Sequence, residues 1–190
     1  MTDADARNAP PPRIRAAIPA DAAAIAAVHV AAWRESYAGL MPDAVLAGLS
    51  VARRTGIWDG ILSRPEEVGS IATFVAEREN GMLGFASCGA QRTPALREQG
   101  CTAEIGAIYI LRDAQRRGLG VALMAALARA LLQRGHQAAS LWVLERNAPA
   151  RRFYERLGGE VIGRKEEKRE EMTLTELAYG WRDLGRLLER

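Results

Sequence analysis

Apolar positions change their spacing along the chain, and the change separates a helical front from a strand-rich remainder. From Asp21 to about Tyr37, the residues Ile25, Val28, His29, Ala32 and Trp33 recur at helical spacing along one side of a segment that Asp21 can cap. Gly39 and Pro42 interrupt it, and a second helix is predicted from Asp43 through Leu62 with a break near Ser50. Arg13 to Ala17 reads as a short first strand and Pro65 to Gly69 as loop. Ile71 to Glu77 and Met82 to Ala90 then read as strands joined at Asn80-Gly81, a tight-turn signal. A polar loop from Gln91 to Gly100 leads into a long strand, Thr102 to Leu111. Leu119, Leu123, Leu127 and Leu131 repeat every four residues and predict a helix from Leu119 to Arg134, stopped by Gly135. Ser140 to Leu144 is another apolar strand, and Asn147 with Pro149 opens a helix that stops at Gly158-Gly159. Two closing strands, Glu160 to Arg164 and Met172 to Tyr179, flank a charged hairpin from Lys165 to Glu171. Helices in front and strands interleaved with two helices behind predict an α/β or α+β fold with a mixed sheet.

Length and charge narrow this further. A chain of 190 residues, 48% hydrophobic, is long enough for one domain with a sizeable core, placed here at residues 13–190. Met1 to Pro12, polar and ending in three prolines, reads as a mobile tail. The formal charge of +3 comes from scattered residues, which argues against a nucleic-acid surface. Cys88 and Cys101, with His29 and His136, lack the spacing of a metal site, so no metal is expected and each cysteine reads as a small buried hydrophobe. No apolar run suits a secretory signal or a bilayer span, so a cytoplasmic protein without membrane contact is expected.

The informative stretch is the strand containing Glu104 to Ile110, the polar loop after it, and Gln115-Arg116-Arg117-Gly118-Leu119-Gly120 at the mouth of the leucine-rich helix. The first turn of a helix leaves backbone N–H groups without intrahelical partners, and its dipole favours an anion there. Gly118 and Gly120 lack a Cβ, so a phosphate can approach the backbone, and Arg116 and Arg117 add positive charge. The pattern fits a pyrophosphate site or, more plainly, a helix entry turn that contains glycine. No Lys-Ser or Lys-Thr pair follows the glycines, so this is not a Walker loop. A dinucleotide turn is the closer rival, with Glu145 near the distance of a ribose contact. It fails because Leu123 stands at the third glycine position, Arg112 to Arg117 separate strand from glycine, and too little chain follows for further βαβ units.

From Ile14 to about Trp181 the chain resembles the GNAT superfamily of acetyltransferases. Gln115-x-x-Gly118-x-Gly120 matches that family's pyrophosphate motif, and Asn147-x-x-Ala150-x-x-Phe153-Tyr154-x-x-Leu157-Gly158 matches a second hallmark. Trp33 to Pro42 looks like the paired-helix region of one bacterial branch. The resemblance implies a mostly antiparallel sheet flanked by helices and splayed between its fourth and fifth strands. It also implies acetyl-CoA as cosubstrate, an amine as acceptor, and a homodimer as one admissible state. The cofactor would lie along Ile108, Tyr109 and Ile110, its phosphates at Gln115, Arg116, Arg117, Gly118, Leu119, Gly120 and Val121, with Asn147 and Tyr154 beside it. Many relatives have proline where Arg112 stands and a further glycine where Arg116 stands. The second departure is expected to deny residue 116 a positive φ and turn the Arg116 side chain toward a CoA phosphate.

The reacting centre follows from the same resemblance. An alkyl ammonium has a pKa of about 10 and attacks a thioester only when neutral, so a base must take its proton. Glu104 matches the general base of some relatives, or is a salt-bridged strand residue. The backbone N–H of about Ile108 would stabilise the developing oxyanion. Tyr154 matches a tyrosine that protonates the departing thiolate, or is a packing residue with a satisfied hydroxyl. Asn147 is either a helix cap alone or a cap that also contacts the cofactor. His29 and Trp33 read as core, Arg34 and Tyr37 as acceptor-pocket residues. A small amine is the favoured acceptor. A protein or peptide amine, or a CoA-binding module without turnover, are the alternatives.

Overall fold

The computed structural model describes residues 11–169 and 172–189, so most of the tail read at Met1 to Pro12 lies outside the described residues. Seven strands form one sheet: β1 Arg13–Ala16, β2 Ser70–Arg78, β3 Gly81–Ala90, β4 Ala103–Ile110, β5 Ala139–Leu144, β6 Glu160–Arg169 and β7 Met172–Trp181. Their order is β1-β2-β3-β4-β5-β7-β6, with every neighbouring pair antiparallel except β4 and β5. The helices are α1 Ala22–Tyr37, α2 Asp43–Ala47, α3 Val51–Ser63, α4 Pro94–Glu98, α5 Leu119–Gln133 and α6 Ala148–Arg156. None among the described residues is long and apolar enough to cross a membrane.

Alternation along the strands builds a core on each face of the sheet. On one face, Val75 and Phe85 pack against Ile25 and Val28 of α1 and Trp58 of α3. On the other, Ala76 and Ala86 meet α5, whose Leu119, Leu123, Leu127 and Leu131 are all buried as their spacing predicts, together with Tyr154 and Leu157. Cys88 and Cys101 are free thiols buried in these layers, and desolvation pushes the Cys88 thiol up to about 12.

Three local readings change, and the break expected near Ser50 is present. Asp21 precedes α1 but does not cap it through its side chain; the carboxylate accepts the Ile18 N–H at 2.8 Å and pairs with Arg15 at 2.6 Å, closing the preceding 3-10 turn. The second helix is two, because Ser50 takes extended backbone geometry and its hydroxyl accepts the Arg53 N–H at 3.3 Å, starting α3. The loop after β3 contains α4, whose Leu96 is buried beside Cys101 and Ala178. The closing hairpin is longer than charge alone suggests: Lys165 to Lys168 continue β6, paired with Glu176 to Thr173 of β7.

Candidate active site

The parallel pair gives the sheet its opening. β4 and β5 meet only at Ala103↔Ala139 and Glu104↔Ser140, after which β5 stays with β7 and the rest of β4 has no strand on that side. A buried glutamine holds the base of this fork. Gln91 Nε2 donates to the Ser140 hydroxyl at 2.6 Å on β5 and to the Ala103 carbonyl at 3.3 Å on β4, while Oε1 accepts the Thr93 N–H at 3.0 Å. Just past the fork, Ser87 faces Ala107 and Cys88 faces Ile105, which leaves Gly106 as a bulge in β4. Beyond it the ladder to β3 is regular, and its phase is set by the Leu111 N–H bonded to the Leu83 carbonyl at 2.9 Å. Since bonded and non-bonded pairs alternate in an antiparallel ladder, the N–H and C=O groups of Ile108 and Ile110 point away from β3 into the gap. Those of Tyr109 are spent on Phe85.

A cleft of about 880 Å³ runs along this edge, lined by Gly106 to Ile110, by Gln115, Arg116 and Gly118 to Val121, and by Asn147, Phe153 and Tyr154. The loop ahead of α5 is tied down at both ends. Gln115 Nε2 donates to the Ile110 carbonyl at 2.9 Å, and the Arg112 N–H donates to the Glu35 carboxylate at 2.8 Å. Arg116 and Gly118 both have positive φ, 59° and 81°. Arg116 therefore adopts the left-handed backbone it was expected to avoid, at a cost of about 1–2 kcal/mol for a side-chain-bearing residue. The first bond of α5 runs from the Ala122 N–H to the Gly118 carbonyl at 3.0 Å, so the N–H groups of Leu119, Gly120 and Val121 have no backbone partner among the described residues and lie at the cleft. The two glycines differ in what they do. A Cβ on Gly118 would meet nothing within 4 Å, whereas one on Gly120 would lie 2.9 Å from Phe153 Cζ. Gly120 is glycine because α6 packs onto α5 there, a reason distinct from the phosphate approach expected of it.

A second cavity, of about 480 Å³, opens across the same gap. Trp33, Tyr37, Tyr109 and Trp142 wall it, with Arg92, Glu104, Lys165 and Glu176 among its charged groups. Gly106, Ile105, Tyr109, Tyr37, Trp142 and Val143 line both cavities, so the two meet at the bulge. Glu104 is only 6% exposed. Its carboxylate accepts the Arg92 backbone N–H at 3.3 Å and both Nε and Nη2 of the Arg92 side chain.

An unpaired strand edge thus leads along one cleft to the N-terminus of a helix. The acetyltransferase (GNAT) family matches residues 29–159. The chain belongs to the GNAT acetyltransferase family. An uncharacterized N-acetyltransferase of Bacillus subtilis, YuaI, is 35% identical over 164 residues, 86% of this chain and 88% of that protein. The paia N-acetyltransferase of Thermoplasma acidophilum, crystallised with coenzyme A, shares the fold with a TM-score of 0.68 at 16% identity, over 87% of this chain and 97% of its own. So does yncA of Salmonella typhimurium, solved with acetyl-CoA, with a TM-score of 0.64 at 20% identity over 92% and 95% of the two chains. The chain is thus an acyltransferase.

In this GNAT chain the residues singled out from sequence divide into three groups. Ile108, Ile110, Gln115, Arg116, Gly118, Leu119, Gly120, Val121, Asn147 and Tyr154 line the larger cleft, Glu104 the smaller cavity, and Tyr37 and Tyr109 both. Tyr37 and Tyr109 place their hydroxyls 3.4 Å apart. Two residues stand elsewhere. Arg117 is exposed and lines neither cavity. Arg34 is withdrawn from the expected acceptor pocket, its guanidinium donating to the carbonyls of Leu46 at 3.3 Å and Leu49 at 3.1 Å behind α1. His29 is core as expected: Nδ1 accepts the Trp58 indole N–H at 3.1 Å and the ring stacks on Tyr109 at 4.8 Å. Asn147 caps α6, accepting the Ala150 N–H at 3.3 Å. Gln91, Arg92, Trp142, Lys165 and Glu176 were missed. Only the run of charge in β6 hinted at any of them; Gln91 and Arg92 sat in a segment read as plain polar loop.

Proposed function

We propose that this GNAT chain, acting as one catalytic unit over residues 13–190, transfers the acetyl group of acetyl-CoA directly onto the amine of a small molecule. The observation that carries the reading is the meeting of the two cavities at Gly106, with an unpaired strand edge on one side and a buried carboxylate on the other. The larger cleft suits CoA: the outward groups of Ile108 and Ile110 can pair an amide-bearing chain as a strand would, and the N–H groups of Leu119, Gly120 and Val121 suit a pyrophosphate.

The chain's own groups then divide the work. Glu104 takes the proton that leaves the attacking amine, and the Ile108 N–H donates to the oxygen on which charge develops. The Tyr154 hydroxyl, in the wall of the CoA cleft, donates a proton to the departing sulfur. Aromatic walls around about 480 Å³ favour a small acceptor over a polypeptide. Free CoA thiol released from acetyl-CoA in the presence of a panel of small primary amines and of unstructured peptides tests this. Release with at least one small amine is expected. Release with peptides alone overturns the small-molecule acceptor, and none with any amine overturns turnover itself.

A further inference from the structure

Within the cavity on the amine side of Gly106, the place beside Glu104 is held by a cation belonging to the chain. Arg92 Nε donates to Glu104 Oε2 at 3.3 Å and Nη2 donates to Oε1. A Cβ on Gly106 would lie 3.8 Å from that Nη2, so the guanidinium stands at the bulge where the two cavities meet. The partners differ in freedom: the Arg92 side chain is 74% exposed and that of Glu104 only 8%. The other basic side chain of the cavity is occupied on two sides, since Lys165 Nζ lies 3.0 Å from Glu176 and 4.4 Å from the centre of a Trp142 ring.

We propose that Arg92 is a specificity-determining residue of the acceptor site, a built-in competitor for the place that the substrate's ammonium takes on Glu104. This rests on reading the cavity as the acceptor site, and it names the acceptor as a primary amine that arrives as a cation on an apolar or aromatic body. A buried carboxylate is costly to leave without a positive partner, so a neutral molecule cannot take the place of the guanidinium. An ammonium can. The displaced Arg92 side chain gives up its contact with Glu104 but little burial, because most of it is already in water, and Glu104 also accepts the Arg92 backbone N–H at 3.3 Å. Trp33, Tyr37 and Tyr109 line the same space and supply the apolar, aromatic surroundings for the body of such an amine. Arg92 thereby screens acceptors: only a group that outcompetes a guanidinium reaches the carboxylate.

The test uses CoA-loaded protein and 2-phenylethylammonium as the probe, with binding measured by calorimetry. Arg92→Gln removes the competitor and should tighten binding about tenfold, the worth of a charge-assisted contact no longer broken. Arg92→Lys restores a competing cation and should bring affinity back to within about twofold of the parent. Arg92→Ser is a second neutral variant, and melting curves confirm that each protein is folded. Equal or weaker binding by the neutral variants overturns the proposal, and so does binding by no form of the protein. Thiol release is followed separately. Binding in the expected order with no thiol release for any amine of the panel removes the acceptor-site reading and leaves Arg92 only a competitor for a cation bound at Glu104; thiol release with the binding order reversed overturns the role of Arg92 and leaves the acceptor site.

Discussion

Burial lifts the Tyr154 phenol well above the ordinary tyrosine range, and the neighbouring Tyr109 adds to the effect. The group is therefore protonated at any working pH, as a donor must be, although burial makes it a weaker acid than a free phenol, and the bound thioester has to offset that. The ring is fixed among Phe153, Tyr179 and Trp181 at 5.4, 5.8 and 6.0 Å, and the residue lines the cleft. Tyr154→Phe keeps the ring and removes the proton. Turnover should fall by about 10²–10⁴-fold, the usual worth of general acid catalysis, with the melting temperature almost unmoved. Measuring both on one variant decides: near-parental turnover with an accepted amine sinks the donor role.

At the scale of elements, the junction of α5 and α6 joins phosphate loop to reacting centre. Phe153 fills the place a Cβ would take on Gly120, and its neighbour Tyr154 faces the cleft. Gly120→Ala drives a methyl against that ring and must push α6 off α5 or turn Phe153 aside. Overpacking of this kind costs about 1–3 kcal/mol, so the melting temperature should fall by roughly 3–10 °C and turnover should fall with it. An unchanged melting temperature would mean that α6 gives way freely. The leucine repeat of α5 and the cap and glycine stop of α6 were legible because a helix writes its buried face and its ends into neighbouring positions. The fork was not legible, because Gln91 works through partners 12 and 49 residues away. Nor was α4, a single turn stabilised by burying Leu96 against Cys101 and Ala178. Lys165 to Lys168 looked like a solvated run of charge, but in an antiparallel pair the partner decides, and Lys165 there meets Glu176. Arg116 misled in a different way: the bonds that hold the loop at Glu35 and Ile110 override a local preference of about 1–2 kcal/mol.

For the whole molecule, acid acts in two separate pH windows. The α1–α3 face buries His29 among Trp33, Trp58, Phe85 and Tyr109, and desolvation, helped by the Arg54 charge, pushes its pKa down to about 4. The imidazole is neutral in the fold, and its Nδ1 must stay unprotonated to accept the Trp58 N–H. Unfolded, the same ring titrates near 6.5. Between about 4 and 6.5 the unfolded chain binds more protons than the folded one, so stability from this residue is fully present above 6.5 and is lost as pH falls to 4. The loss amounts to roughly 3 kcal/mol over that window. Asp21 belongs to a lower one. The Arg15 guanidinium holds its carboxyl below the ordinary range, so that contribution survives to about pH 4 and disappears only as pH drops through the lowered value. Denaturant unfolding should therefore lose stability in two stages on acidification, the first beginning near pH 6.5. His29→Gln keeps a buried acceptor for Trp58 but cannot titrate. It should lower stability at pH 7 and flatten the slope between pH 6.5 and 4, while leaving the later stage in place. A parent-like slope in His29→Gln would place the first proton uptake on another group and leave His29 as a packing residue alone.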